Sequence, residues 1–326
     1  MVASLGRLNG CKTGSNDDLL GKTSARSMCL LTLLIIILLF LDEKWSQAHI
    51  LVQGHHGDSL YFSAYAKQKE ESPLTMKYKS SIIQSKWKKT QWLLKDSYFL
   101  KYVPHTLPFN KKNLSAMLDD YSSVFFKPTN GSGGINIIRI RKTDRGYLSQ
   151  MNATETSYST TNQLYNDLNR FAGSRSYLLQ KGIHLAKSNG KPFDIRVMVQ
   201  KTRQGDWVST ALFTKIGSPN KVTTNYTQGG TVRTFSETMN GTDFSPTFIP
   251  QLESKLKRLG VAVGNNFDRH HKGFQELGLD VALDQTGKPW ILEVNTRPQI
   301  YPLKALKNKN LYYKILSYGK HYGRFK

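Results

Sequence analysis

Cysteine is almost missing from this chain. Cys11 and Cys29 are the only two in 326 residues, which excludes a disulfide framework and any cysteine-rich zinc site. Everything beyond residue 75 is cysteine-free, as suits a reducing compartment. Acidic side chains are scarce too: 23 Asp and Glu stand against 46 Lys and Arg, a net charge of +23. That imbalance points to an anionic partner without saying which kind. No internal repeat and no low-complexity tract is seen. What is there, 39% hydrophobic and 11% aromatic residues, is enough for a packed core and excludes a disordered or collagen-like chain. The length allows one large domain or two small ones.

There is a single long apolar run, Met28–Leu41 (MCLLTLLIIILLFL), broken only by Thr32. Its fourteen residues would span about 21 Å as a helix, short of the roughly 30 Å hydrocarbon core. Lys22 and Arg26 precede it and Asp42 and Glu43 follow, an orientation that would send the C-terminal body out of the cytoplasm. A signal segment, a membrane anchor through 28–41, and an over-extended start ahead of Met76 all fit. The charge divides at the same place. Residues 1–75 hold seven basic and seven acidic side chains, so the whole surplus belongs to 76–326. The expected organisation is a neutral segment, 1–75, and a basic, cytoplasmic domain, 76–326.

Within the basic part, apolar spacing predicts helices over 80–95, 111–121, 163–171, 251–259 and 303–318. In the first, Ile82, Ile83, Trp87 and Leu94 are among the apolar positions. β-Branched and aromatic content predicts strands over 123–127, 135–141, 177–183, 193–201, 207–216, 274–283 and 289–295. Antiparallel strands mixed with helices predict an α+β architecture. The glycine-rich stretch 128–134 lies between two strands, which excludes a Walker P-loop.

Three constellations carry chemistry. In ELGLDVALDQTGKPWILEVN, a hairpin centred between Thr286 and Gly287 places Asp280 directly opposite Glu293, with Asn295 on the same face. Opposed carboxylates repel unless a cation joins them, and an oxygen set of this kind suits Mg²⁺. Asp284, nearer the turn, reads as solvated. Lys127 beside Gly131, Ser132, Gly133 and Gly134 combines a point charge with backbone N–H groups able to close over a phosphate. Phe193-Asp194-Ile195-Arg196 puts Asp194 and Arg196 on one strand face, where Arg196 could stabilise charge in phosphoryl transfer. Each alone has a plainer reading: an exposed hairpin face, a glycine turn, a surface ion ladder. The His pairs at 55–56 and 270–271 have no partners at metal-site spacing and read as solvated.

The order of these motifs resembles that of ATP-grasp enzymes. More closely, SKWKKT (85–90), VPHT (103–106), FKPTNGSGG (126–134), FDIRVMVQ (193–200), TTNYTQGG (223–230), ELGLDVALD (276–284) and PWILEVNTRP (289–298) resemble the YheC/YheD-type ATP-grasp family, linked with endospore coats and similar to glutathione synthetase-like ligases. The resemblance implies two α+β subdomains gripping ATP, without a full preceding α/β domain. It implies Asp280, Glu293 and Asn295 as ligands of Mg²⁺ (or Mn²⁺), and Lys127 as a phosphate-binding lysine. Lys86 would be an earlier nucleotide lysine, with Lys88 and Lys89 as close neighbours. Gln180, Lys181 and Ile183 would lie in the hinge strand whose backbone holds adenine; the family often has Glu where Gln180 stands. Arg196 would face the transferred phosphate. Asn225, Gly229, Gly230 and Arg297 would lie on the substrate or phosphate side.

The implied activity is ATP- and Mg²⁺-dependent joining of a carboxylate to an amine or thiol through an acyl phosphate, in a spore-associated protein. Acidic peptides or polymers fit the surplus charge as substrates, and no specific nucleic acid is expected. Two other readings stay open. One is an ATP-binding structural or coat protein without ligase activity. The other is a basic nucleic-acid or anionic-polymer binder, which leaves the carboxylate pair unexplained.

Overall fold

The computed structural model describes residues 47–53, 59–65, 78–217 and 230–325. The apolar run 28–41, the His55–His56 pair, Asn225 and Gly229 lie outside these described residues. In the unit Met1–Leu74, β1 (Gln47–Gln53) and β2 (Ser59–Tyr65) pair as an antiparallel hairpin. The unit Thr75–Lys326 holds all the other described elements, and no helix among the described residues is long and apolar enough to cross a membrane.

That second unit opens with α1 (Lys86–Leu94) and α2 (Ser97–Leu100). Its smaller lobe follows. A six-stranded antiparallel sheet runs β3-β8-β4-β5-β6-β7, formed by β3 (Thr106–Pro108), β4 (Ser123–Pro128), β5 (Ile138–Thr143), β6 (Gly146–Met151), β7 (Thr154–Tyr158) and β8 (Tyr177–Lys181). One face is covered by α3 (Lys111–Asp120) and α4 (Thr161–Ala172). Leu114, Met117 and Leu118 of α3 and Leu164 and Leu168 of α4 pack on Val124, Phe126 and Ile140. Asn110 caps α3, and Thr160 with Gln163 forms a capping box on α4, satisfying the first free amides of each helix. The other face, with Phe125 and Lys127, is left for the cleft.

The larger lobe holds β9 (Lys187–Ser188), β10 (Lys191–Lys201), β11 (Trp207–Ile216), β12 (Thr231–Thr234), α5 (Phe235–Met239), α6 (Phe248–His270), β13 (Glu276–Leu283), β14 (Pro289–Asn295), a 3₁₀ turn at Tyr301–Ala305 and α7 (Asn310–Lys320). Its sheet runs β12-β11-β10-β13-β14, with β9 beside β10. Phe193, Ile195, Val197 and Val199 of β10 face the core with Leu256, Leu259, Val263 and Phe267 of α6. The opposite face of β10 carries Asp194, Arg196, Met198 and Gln200. Its second half is covered by the C-terminal segment, whose Leu303, Leu306 and Ile315 pack on Met198, Ala211 and Phe213.

The α+β class expected from the sequence is the one observed, with corrections inside it. Helix α6 is far longer than 251–259. It runs on through Gly260, which lies on the packed face, where a Cβ would stand 2.8 Å from methyl groups of Val197 and Val199. Helix α1 begins only at Lys86, after the Ser85 N-cap. Its buried residues are Lys86, Lys89, Trp92 and Leu93, while Ile82 is 46% exposed; the lysines turn inward because an acidic partner waits there. Strand β5 starts at Ile138 because the loop before it extends further than expected. Strands β6 and β7, mostly polar, carry no apolar alternation to announce them. The C-terminal helix is split into the 3₁₀ turn and α7.

Two β-bulges set the register of the larger sheet. Near its turn, β13–β14 pairs Leu283 with Pro289 and Val281 with Ile291; beyond the shift, Asp280 pairs with Glu293 and Gly278 with Asn295. Leu292 is the extra residue. The turn is centred on Thr286, with Gly287 at φ +80° and Gly287 N–H donating to Asp284 O at 2.9 Å, as in a three-residue hairpin loop. The centre expected from the sequence was half a residue off, and the bulge restores the opposition of the two carboxylates. Asp284 is not merely solvated: it accepts from Thr286, Lys288 N and Trp290 Nε1 and so fastens the turn. In β10–β11, Thr210 is the corresponding extra residue, between the Met198–Ala211 and Val199–Ser209 pairs.

Candidate functional site

The cleft between the two lobes, about 280 Å³, is floored by the open face of the larger sheet. Strand pairing dictates its charge cluster. Arg196 is the cross-strand partner of Asp280, and Asp194 that of Lys215. Arg196 donates to Asp280 through Nε at 2.8 Å and Nη2 at 3.2 Å. Lys215 Nζ lies 2.9 Å from Asp280 Oδ1 and 3.0 Å from Asp194 Oδ1. Asn295 Nδ2 donates to Asp280 Oδ2 at 3.1 Å. Burial opposes ionisation of Asp280, but Arg196 and Lys215 outweigh it and hold the carboxyl well below the usual range. Burial likewise opposes the charges on Arg196 and Lys215; Asp280 and Asp194 overcome it and raise both above their ordinary values.

Glu293, opposite Asp280, is more open. Its Oε1 lies 3.7 Å from Lys86 Nζ and 3.9 Å from Lys89 Nζ. Lys86 Nζ also donates to Gly131 O at 2.5 Å, so α1 and the glycine loop meet at one ammonium. Lys89 is 4% exposed, and burial pulls its ammonium below the ordinary value against the pull of Glu293. Lys88 points outward, 5.7 Å from the Trp92 ring. Of the three neighbouring lysines, Lys86 alone lines the cleft.

The roof is Lys127 and the 131–134 loop. Gly131, Gly133 and Gly134 have φ of +118°, +73° and +72°, conformations side chains rarely adopt. Lys127 Nζ donates to Gln180 Oε1 at 2.5 Å, and burial pushes its ammonium down to about 8. Gln180, expected to serve through its backbone, also uses its side chain. Its Nε2 reaches Thr106 Oγ1 at 3.2 Å and, across the cleft, Leu292 O at 3.4 Å. Lys181 and Ile183 line the hinge side, and Lys181 Nζ stands 4.9 Å from the Tyr121 ring. Arg297 lines the far wall with Gln299 and Tyr301 and lies 5.3 Å from the Tyr78 ring.

The residues singled out in the sequence therefore meet in one cleft, apart from three. Asn225 and Gly229 are outside the described residues, and Gly230, buried just before β12, is not among the residues lining it. His270 and His271 are remote: His270 stacks on Trp92 at 5.4 Å and His271 Nε2 lies 3.2 Å from Ser81 Oγ. One charged member of the cleft escaped the sequence reading, Lys215. Centring the β10–β11 turn would pair Asp194 with Thr214, because the bulge at Thr210 is invisible in sequence.

Among the described residues no three His, Cys, Asp or Glu side chains come together as a metal cage. The oxygen donors that do share one face are Asp280, Glu293 and the Asn295 amide, a hard set that fits Mg²⁺ bound jointly with phosphate oxygens.

A family model described as YheC/D like ATP-grasp matches residues 75–325. Endospore coat-associated protein YheD of Bacillus subtilis is 31% identical over 221 residues, 66% of this chain and 48% of that protein. Endospore coat-associated protein YheC of the same organism is 21% identical over 275 residues, 79% of this chain and 74% of that protein. The chain thus spans about half the length of the first and three quarters of the second. Among solved structures, N5-carboxyaminoimidazole synthetase from Staphylococcus aureus complexed with ADP is similar at 10% identity and a TM-score of 0.45, over 73% of this chain and 52% of that one.

Proposed function

The chain belongs to the YheC/D-like ATP-grasp family and has the ATP-grasp fold, and on that premise we propose that its cleft binds ATP with Mg²⁺ and ligates a carboxylate to an amine or thiol. The observation that carries this reading is the meeting of Lys86, Lys127 and the 131–134 loop with Arg196, Asp280, Glu293 and Asn295 in one cleft. Lys86, Lys127 and the loop amides would hold the phosphates, and the Gln180–Ile183 hinge the base. Asp280, Glu293 and Asn295 would hold Mg²⁺, which supplies neutralising charge to the phosphates. Arg196, kept charged by Asp280, would face the γ-phosphate.

The first step is attack of a substrate carboxylate oxygen on the γ-phosphorus. The bond to the bridging β–γ oxygen breaks, and ADP leaves with the electron pair. An amine or thiol then adds to the acyl carbon, loses a proton, and expels inorganic phosphate. Most of the catalysis asked of the protein is positioning and charge neutralisation. Association with a spore coat, as in the names of YheC and YheD, is part of the same proposal.

The test is ADP release from Mg²⁺-ATP with a panel of amino acids and acidic peptides, wild type against Glu293→Ala. Wild-type turnover, reduced by about two orders of magnitude in the variant, is expected. Nucleotide binding without turnover would support the non-catalytic coat-protein reading instead, and turnover unaffected by Glu293→Ala would remove Glu293 from the metal set.

A further inference from the structure

The sequence after Glu293 contains eight Lys and Arg residues and no Asp or Glu. This segment leaves β14 at the cleft, where Arg297, Gln299, Tyr301 and Pro302 form part of the lining. It then crosses the same sheet face that carries Asp194 and Arg196, with Leu303, Leu306 and Ile315 turned inward. Its outer side is exposed at Tyr301, Lys304 and Lys307, and along α7 at Tyr313, Lys314, Ser317 and Lys320, a stripe at helical spacing. Tyr301 is 43% exposed and Tyr313 61%.

The cations of this surface divide into two kinds. Arg324 is used internally, paired with Glu276, and Lys307 lies near Glu237. Lys304, Lys314 and Lys320 form no ion pair among the described residues. Ordinary surfaces intersperse both signs; a one-signed surface raises self-repulsion and serves to attract an opposite charge. Its continuity with the cleft mouth is what distinguishes it from a generally basic exterior.

We propose that residues 297–320 form a docking surface for an acidic polypeptide, one of whose carboxylates enters the cleft as the group to be activated. This rests on the ligase reading above. A carboxylate-rich chain supplies both features on the page, repeating negative charge for the lysines and a carboxylate for the reaction, whereas a nucleic acid supplies only phosphate. Lysine ammonium groups on flexible stems suit a ligand with no fixed geometry, and the exposed tyrosine rings offer apolar contact to its methylenes.

The experiment is a fluorescence-anisotropy titration of labelled oligoglutamate at low ionic strength. Wild type is compared with Lys304→Glu/Lys314→Glu/Lys320→Glu and with a control, Lys111→Glu/Lys112→Glu/Lys142→Glu, which alters exposed lysines of the smaller lobe by the same charge. Melting curves monitor folding, and a Lys→Gln triple at 304, 314 and 320 stands in should the reversal not fold. The expected result is affinity at least about tenfold weaker in the C-terminal variant and within about twofold of wild type in the control. Equal weakening in both, or tighter binding of an oligonucleotide of matched charge, overturns the proposal. ADP release on the same samples separates the two readings. Oligoglutamate binding without turnover keeps the docking surface and removes the ligase; turnover with small substrates but no oligoglutamate binding does the reverse.

Discussion

Lys215 Nζ lies 2.9 Å from Asp280 Oδ1 and is itself almost fully buried. It also reaches Asp194, so one ammonium serves two carboxylates that would otherwise share a low-dielectric site. Lys215→Met should destabilise the protein by about 3–5 kcal/mol, because removing one member of a buried ion cluster strands the others. Urea unfolding measures this, and a loss below about 1 kcal/mol would mean that Arg196 alone compensates both acids.

The same cluster sets an acid limit. The folded pKa of Asp280 is depressed by Arg196 and Lys215 against the effect of burial. Its contribution to stability is therefore fully present above the unfolded value, about 3.9, and is lost as pH falls below it. Between about pH 6 and pH 3 wild type should lose stability more steeply than Asp280→Asn, whose site has no carboxylate to protonate. Parallel curves from urea midpoints would contradict this.

Lys127 supplies an alkaline limit. With its ammonium pushed down to about 8 by burial, the free protein presents a cation below that pH and a neutral amine above it. ATP affinity should fall above pH 8, by up to about tenfold per pH unit if one proton is taken up on binding. Lys127→Arg keeps its charge throughout, so calorimetric titrations should show a flat profile for that variant.

Gly278 lies between Asp280 and Glu276 on the site face. A Cβ there would stand 2.6 Å from Pro298 Cβ and 3.1 Å from Arg196 Cδ. Gly278→Ala should cost about 1–3 kcal/mol through overpacking and reduce ADP release by displacing Arg196. A variant with wild-type melting and turnover would show that the wall at Pro298 yields freely.

Glu276, 0% exposed, accepts from Tyr78 and Tyr322 at 2.6 and 2.8 Å and pairs with Arg324, which also donates to Pro298 O. This ties the end of the chain to the wall that carries Arg297. Arg324→Met should destabilise by about 3–5 kcal/mol by leaving a buried carboxylate uncompensated. Adding Glu276→Gln should recover part of the loss, which a double-mutant cycle in thermal unfolding would measure.

The parts of this site that were legible in the sequence are those written in alternation and glycine. FDIR announced its two faces, ELGLD and ILEVN their opposed carboxylates, and 131–134 its loop. What the sequence withheld depends on contacts across the chain. Lys89 is buried beside Glu293, 3.9 Å away, whereas its neighbour Lys88 is exposed. Gly260 lies inside α6 where Val197 and Val199 leave no room for a Cβ. The length of α6 and the presence of Lys215 in the cluster follow from packing and register, which local propensity does not record.

The two bulges, at Thr210 and Leu292, stand between a hairpin turn and the chemical end of the same strand pair. A regular strand sends consecutive side chains to opposite faces, so it can present either Leu292 or Glu293 to the cleft. The bulge presents both, an apolar surface and a charge side by side on one edge, which is what a ligand with a flat base and a phosphate tail requires. It also makes each strand pair two registers in series. Length changes within residues 202–206 or 284–288 are absorbed at the tips, and deleting Thr210 or Leu292 alone would make the ladder regular with its pairs unchanged, whereas deleting a paired residue such as Ile291 would shift the pairing on one side of the lesion and turn a set of side chains over.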